Sequence, residues 1–194
     1  MRELRFPFVR GRLLLVLFLA SAAAAIASFA SGCGGPAPEE RYFEQVCSMA
    51  LPRSQEMLET FEAVQLTRAA PGREARVTLL ALTLRGTQIA RRFRAETRAL
   101  PLLDTEAGRT ADALFESLAT TAFETMAREV RRVRSLPESI TLFQSIGGLE
   151  SLELAVLSSY ANMRSARAVA AEAELLEFFE KADACKDLEA LGTD

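Results

Sequence analysis

Three thiols, Cys33, Cys47 and Cys185, are the most reactive side chains in this chain, and there is no histidine. Without imidazole the chain lacks the commonest general base, the Ser-His and Cys-His nucleophile pairs and the usual zinc ligands. Carboxylates three apart stand at Glu150/Glu153 and Glu177/Glu180, where a helix would set them side by side. Carboxylate-bridged metal bundles use Glu-x-x-His. These pairs therefore read as surface carboxylates, with no metal and no cofactor implied. No Gly-rich phosphate loop and no G-x-S-x-G elbow is present. Cys47 and Cys185 lack C-x-x-C spacing, which argues against a redox-active pair. Tyr42 and Tyr160 are the only phenols. Tyr160 lies on an apolar stripe and reads as a packed tyrosine with a satisfied hydroxyl.

The position of Cys33 separates it from the other two thiols. Arg2, Arg5, Arg10 and Arg12 form a positive start, and residues 13–30, "LLLVLFLASAAAAIASFA", carry no charge. Ala30-Ser31-Gly32-Cys33 follows. This arrangement resembles the signal and lipobox of bacterial lipoproteins, with Ala30 where leucine is usual. The resemblance covers residues 1–33 only. It implies a signal peptide over 1–32, diacylglyceryl modification of the Cys33 sulfur, cleavage just before Cys33 and acylation of the kind that palmitate supplies. Three other readings are an uncleaved membrane anchor, since 18 apolar residues are just long enough to span; ordinary secretory cleavage after Ala30; and a buried helix with a chance cysteine. Cleavage before Cys33 would remove four arginines and Glu3, shifting the formal charge from −3 to −6. It would also leave an even pair of folded-domain cysteines. Outside the cytoplasm such a pair reads as a disulfide, Cys47–Cys185.

The elements that must hold these residues are helical. Residues 33–40 form a flexible tether rich in glycine and proline. Residues 41–194 contain no alternating strand-like stretch, and alanine, leucine, glutamate and arginine dominate. The spacing predicts a helix over 41–68, with Phe43, Val46, Cys47, Ala50, Leu58, Phe61 and Leu66 inward and Pro52 breaking or kinking it. A second helix is expected over 73–100, carrying Ala75, Leu79, Leu82, Gly86, Ile89, Phe93 and Leu100. A third, over 105–135 with Asp104 as N-cap, carries Phe115, Leu118, Ala122, Met126, Val130 and Val133. Ser135 to Glu138 fits a capping box opening a fourth helix near 137. Gly147-Gly148 should interrupt it, or mark a close helix crossing, before the stripe Leu149, Leu152, Val156, Tyr160 and Met163. A last helix over 167–191 carries Ala171, Leu175, Phe178, Ala182 and Cys185. The expected fold class is all-α, an antiparallel bundle of four to five helices behind a cleaved signal peptide.

Charge is unevenly spread. Residues 73–98 hold seven arginines against two glutamates, and 128–134 hold four more arginines. Residues 172–194 hold eight carboxylates against two lysines. Complementary solvated faces within one bundle would account for much of this. A sharper reading makes Arg91, Arg92, Arg94, Arg98, Arg131, Arg132 and Arg134 a surface for anionic headgroups or an acidic partner. Nucleic acid is a poor fit for an acidic, exported chain without a recognition motif.

These features together point to a lipid-anchored protein of the cell envelope, on the outer side of the cytoplasmic membrane or in the outer membrane. Its bundle would be a non-enzymatic interaction or structural module for an unidentified envelope protein. One alternative is a carrier of apolar small molecules or lipids, with an interior pocket near Phe93, Phe115, Phe178 and Phe179. Another is an envelope enzyme without histidine, built on a concave cluster of carboxylates with arginine or serine neighbours.

Overall fold

A computed structural model of the chain describes residues 35–69, 75–137 and 142–191, and the chain divides into two units, Met1–Pro36 and Ala37–Asp194. The expected signal peptide, with its apolar run, and Cys33 lie outside the described residues. Every regular element among those residues is helical. Four long helices come first: α1 (Pro38–Ala69), α2 (Ala75–Thr97), α3 (Glu106–Arg134) and α4 (Leu142–Met163). Three short ones follow: α5 (Ala166–Glu172), α6 (Leu176–Lys181) and α7 (Asp183–Ala190). The bundle expected from the sequence is present, but the single last helix is three pieces.

The long helices run alternately up and down. Arg53 meets Glu96 and Arg85 meets Glu59 between α1 and α2. Arg98 meets Glu116 between α2 and α3. Arg132 reaches the Gly148 carbonyl, and Ser159 the Ala122 carbonyl, between α3 and α4. Arg68 at the end of α1 meets Glu153 near the start of α4, which closes the ring. In the pairs α1–α2 and α3–α4 the residue number rises on one helix as it falls on the other, and Arg98–Glu116 with Arg94–Phe123 shows the same between α2 and α3. Helices α2 and α4 also touch across the middle, leaving α1 and α3 on the long diagonal.

Local chemistry sets the ends. Pro38 opens α1, so the helix takes in the last three residues of the expected tether; a proline in the first turn lacks only an N–H that would be free anyway. Thr105, not Asp104, caps α3, its hydroxyl accepting from the Gly108 N–H at 3.0 Å. Asp104 instead offers its backbone carbonyl to Arg109. The expected capping box falls partly outside the described residues, since Glu138 is among those not described. Ser135 serves the other side, its hydroxyl donating to the Arg132 carbonyl at 2.7 Å.

Two expected breaks are absent. Helix α1 continues through Pro52. The carbonyl that Pro52 leaves unpaired belongs to Ser48, which is exposed and can bond water. Helix α4 runs unbroken through Gly147-Gly148. A Cβ on Gly148 would stand 2.7 Å from Leu79 Cδ2, so this glycine lets α4 approach α2 closely.

The inward stripes on α3 and α4 match their expectations closely. Phe115, Ala122, Met126, Val130 and Val133 are buried, as are Leu149, Leu152, Val156 and Met163. In the second half of α1 the core runs instead through Ser54, Met57, Thr60 and Val64. Leu66 is 74 % exposed there. Continuing from Phe43, Val46, Cys47 and Ala50, that path keeps steps of three and four, the seam of a long antiparallel pair. The hydroxyl of Thr60 returns to the Glu56 carbonyl, which lets a polar residue occupy the seam.

After α4 the chain folds back against the first half of α1. Glu174, at φ 59°, takes the left-handed conformation between α5 and α6, and the Leu175 N–H reaches the Ala170 carbonyl at 2.7 Å. Ala182, in extended backbone, separates α6 from α7. These two bends bury Ala173, Leu175, Phe179, Cys185 and Leu188 where one straight helix would point several of them at solvent. Phe179, rather than Phe178, is the core phenylalanine of this segment.

Candidate functional site

The two described thiols meet. Cys47 on α1 and Cys185 on α7 form a disulfide with an S–S distance of 2.00 Å and a Cα–Cα distance of 4.9 Å. Both are fully buried. Phe43 and Phe179 lie edge to face beside them, with centroids 5.9 Å apart, and Phe115 and Tyr42 complete the aromatic group. The carboxylate of Glu44 accepts the Ala184 N–H at 3.1 Å, filling one of the free donors at the start of α7. The disulfide, the aromatic edge and the carboxylate together latch the last helices onto α1.

The arginines of the proposed anionic-partner surface are not brought together. Arg91, Arg92 and Arg94 lie on the last turns of α2 with Arg98 just past its end, and Arg131, Arg132 and Arg134 lie on the last turns of α3. The two helices are antiparallel, so these are opposite ends of the bundle. Arg98 is level with Glu116. From there to Arg131 is 15 residues along α3, or about 22 Å at 1.5 Å per residue.

The α2 group is largely occupied by its own protein. Arg98 pairs with Glu116 at 2.8 Å, Arg92 stands 3.8 Å from Glu56, and Arg94 lies over the Phe123 ring. Beside them Arg53 grips both Glu96 oxygens and also Glu56. Those bonds, Glu96 foremost, hold the Arg53 guanidinium above its usual pKa. Arg91 is exposed and forms no ion pair among the described residues. In the α3 group Arg132 is tied to Glu129 at 2.7 Å and to the Gly148 carbonyl. Arg131 and Arg134 are exposed, as is Arg128 one turn earlier, and their side chains have no partner among the described residues.

Distances too long for periodicity to reveal produce two further features. Tyr42, at the start of α1, donates its hydroxyl to Asp112 Oδ1 on α3. Burial, together with the adjacent carboxylate, pushes the phenol well above its usual pKa. The second feature is a solvent-open groove of about 650 Å³ between α4, α5 and α7. Arg164 lies over the Tyr160 ring there, donates to its hydroxyl at 3.0 Å and reaches the Glu189 carbonyl. Arg167 pairs with Glu180 and Glu189. The Tyr160–Arg164 spacing of four was a visible signal for this groove; the carboxylate partners were not.

The carboxylate pairs noted in the sequence have cationic partners. Glu150 and Glu153 face Arg68, Glu180 faces Arg167 and Glu177 faces Lys181. No group of three metal-ligating side chains occurs among the described residues. No helix among them is long and apolar enough to cross a membrane. Compared with protein-family models, curated proteins and solved structures, the chain matches none.

Proposed function

We propose that this chain is an envelope lipoprotein, held to a membrane by lipid on Cys33, whose four-helix bundle is an interaction module for another envelope protein. The observation that carries the reading is the pairing of the thiols. With Cys33 set aside as an attachment point, the two remaining cysteines, 138 residues apart, form one buried disulfide. Such bonds persist in oxidising compartments and are rare in the cytoplasm. Export and an anchoring cysteine together account for all three thiols.

The rival readings draw less support. A lipid carrier called for space beside Phe93, Phe115, Phe178 and Phe179. Phe93, Phe115 and Phe179 are packed at 1–2 % exposure, and Phe178 lies beneath the Lys181 ammonium. An enzyme without histidine called for a concave cluster of carboxylates with arginine or serine neighbours; the groove between α4, α5 and α7 brings one carboxylate, Glu189, beside Arg164, Ser165 and Arg167, and Arg167 already pairs with it.

Intact mass of the chain taken from membranes tests the reading. The expected species begins at Cys33, carries acyl groups and gains 2 Da on reduction (two hydrogens per disulfide). Cys33→Ser should abolish labelling by palmitate and release the protein from the membrane fraction. An unmodified chain beginning at Met1 overturns it.

A further inference from the structure

We propose that the outer face of α4 is a self-association surface, on which a second copy of this chain packs antiparallel about a two-fold axis near Leu157. The surface lies within the unit Ala37–Asp194 and does not depend on the lipid anchor.

Helix α4 has an unusual outer face for a helix that meets only water. A surface helix sets charged and polar residues opposite its buried stripe. From Leu154 to Met163 the chain carries no charge. Leu154 is 69 % exposed and Leu157 38 %, and Ser158 and Ala161 beside them are exposed as well. The strip continues past the end of α4 into the groove, where Ala168 and Ala171 of α5 are exposed. Single exposed leucines are ordinary, but an uncharged strip that leads into a groove marks a contact surface.

The charges bounding this strip identify what fits it. Glu150 stands seven residues before Leu157, and Arg164 seven residues after it. Seven residues make about two turns, so all three share one face. Helical bonding reaches Arg164, whose N–H meets the Tyr160 carbonyl at 3.1 Å. Glu150 is half exposed, and the shorter bond of nearby Arg68 goes to Glu153, at 2.7 Å against 3.5 Å. Two neutral oxygens, the Tyr160 hydroxyl and the Glu189 carbonyl, orient the Arg164 guanidinium. A strip that is acidic at one end, apolar in the middle and basic at the other is complementary to its own reverse.

A second copy turned end for end places Leu157 on Leu157 and Leu154 over Tyr160 and Ala161. Glu150 of each copy then faces Arg164 of the other, and the two-fold axis makes that pair twice. Antiparallel helices 8–10 Å apart leave these long side chains within reach, and a guanidinium fork suits a carboxylate. The groove of about 650 Å³ receives the first turns of the other copy's α4. Parallel packing would instead oppose Glu150 to Glu150 and Arg164 to Arg164, so charge sets the direction. A partner of another sequence would need the same charges in reverse order at the same spacing; this chain already carries them.

The test is photo-crosslinking in cells of the full chain, expressed as a tagged and an untagged copy. A photoreactive residue replaces exposed Ser158, and a control replaces exposed Gln88 on α2. The expected adduct from position 158 joins tagged to untagged chain and is absent from position 88. Glu150→Arg should reduce it about tenfold or more, and Arg164→Glu likewise, because each sets two like-charge pairs across the axis. The two changes together should restore about half of it or more. Leu154→Gln, at a solvent-facing side chain, should also reduce it without changing the melting temperature. That variant and Glu150→Arg decide the matter if Arg164→Glu does not fold. An adduct with a different protein, a crosslink within one chain to residues 13–30, or no adduct overturns the proposal. So does an adduct that the single variants leave unchanged, or a folded double variant that restores nothing.

Discussion

Tyr42 shows how one side chain couples the start of α1 to α3. Its ring is 1 % exposed, and its hydroxyl donates to Asp112, whose Oδ2 is buried without a partner. Removing the hydroxyl by Tyr42→Phe strands a half-buried carboxylate, and should cost about 1–3 kcal/mol at neutral pH. The phenol pKa is raised in the fold by burial and by Asp112, from an ordinary value of 10.0. Above that pH the unfolded chain releases the proton while the folded chain keeps it. Folding stability from this group is therefore complete below about pH 10 and falls as pH rises, by at most about 1.4 kcal/mol per unit. Urea unfolding from pH 7 to 11 should show the wild-type advantage over Tyr42→Phe shrinking above pH 10. A difference that stays constant across that range would refute the coupling.

At the scale of the element, the helices differ in how far sequence pattern settles them. Three glycines measure the difference. A Cβ on Gly147 meets nothing within 4 Å, so Gly147→Ala should gain about 0.5–1 kcal/mol of helix propensity. A Cβ on Gly148 meets the movable end of Leu79, so its alanine variant should fall between the two extremes. A Cβ on Gly108 would overlap Leu103 Cβ, which is fixed to the backbone, and crowd the capping Thr105 hydroxyl. Gly108→Ala should therefore lose about 1–3 kcal/mol, although it also improves helix propensity. Denaturant midpoints of the three variants check the order. The same distinction explains what could be read in advance. The α3 stripe was legible because Phe115 to Val133 repeat without interruption. The second half of α1 was only partly legible: Phe61 does pack against the core, but Leu66 outweighs Ser54 and Thr60 in hydrophobicity, although the seam runs through the smaller residues. The bends at Glu174 and Ala182 carry no local signal, since glutamate and alanine are good helix formers and tertiary burial decides their conformation. Of the site, the thiol pairing was legible from parity. The carboxylate partners of the arginines depend on register between helices, which periodicity does not specify.

In the whole molecule, the disulfide joins parts of unequal strength. Helices α5, α6 and α7 have only 7, 6 and 8 residues. Helices this short are not stable alone in water, so these rely on α1. The latch supplies three things: the aromatic edge of Phe179 on Phe43, the Glu44 carboxylate on the Ala184 N–H, and the Cys47–Cys185 bond. The bond also closes a loop of 138 residues, which in the chain-entropy model restricts the unfolded state by up to about 5 kcal/mol. Cys47→Ala/Cys185→Ala should thus lower unfolding stability by about 2–5 kcal/mol. The loss should also be unevenly expressed. The long helices keep their mutual ion pairs and seam, while the short ones lose the covalent tie that keeps a locally opened segment near α1. Amide exchange should then show the backbone N–H groups of residues 166–190 losing protection well before those of α2, α3 and α4. Uniform loss across the bundle would mean that the last helices unfold with the whole rather than as an appended latch, and that the bond acts only on the unfolded chain.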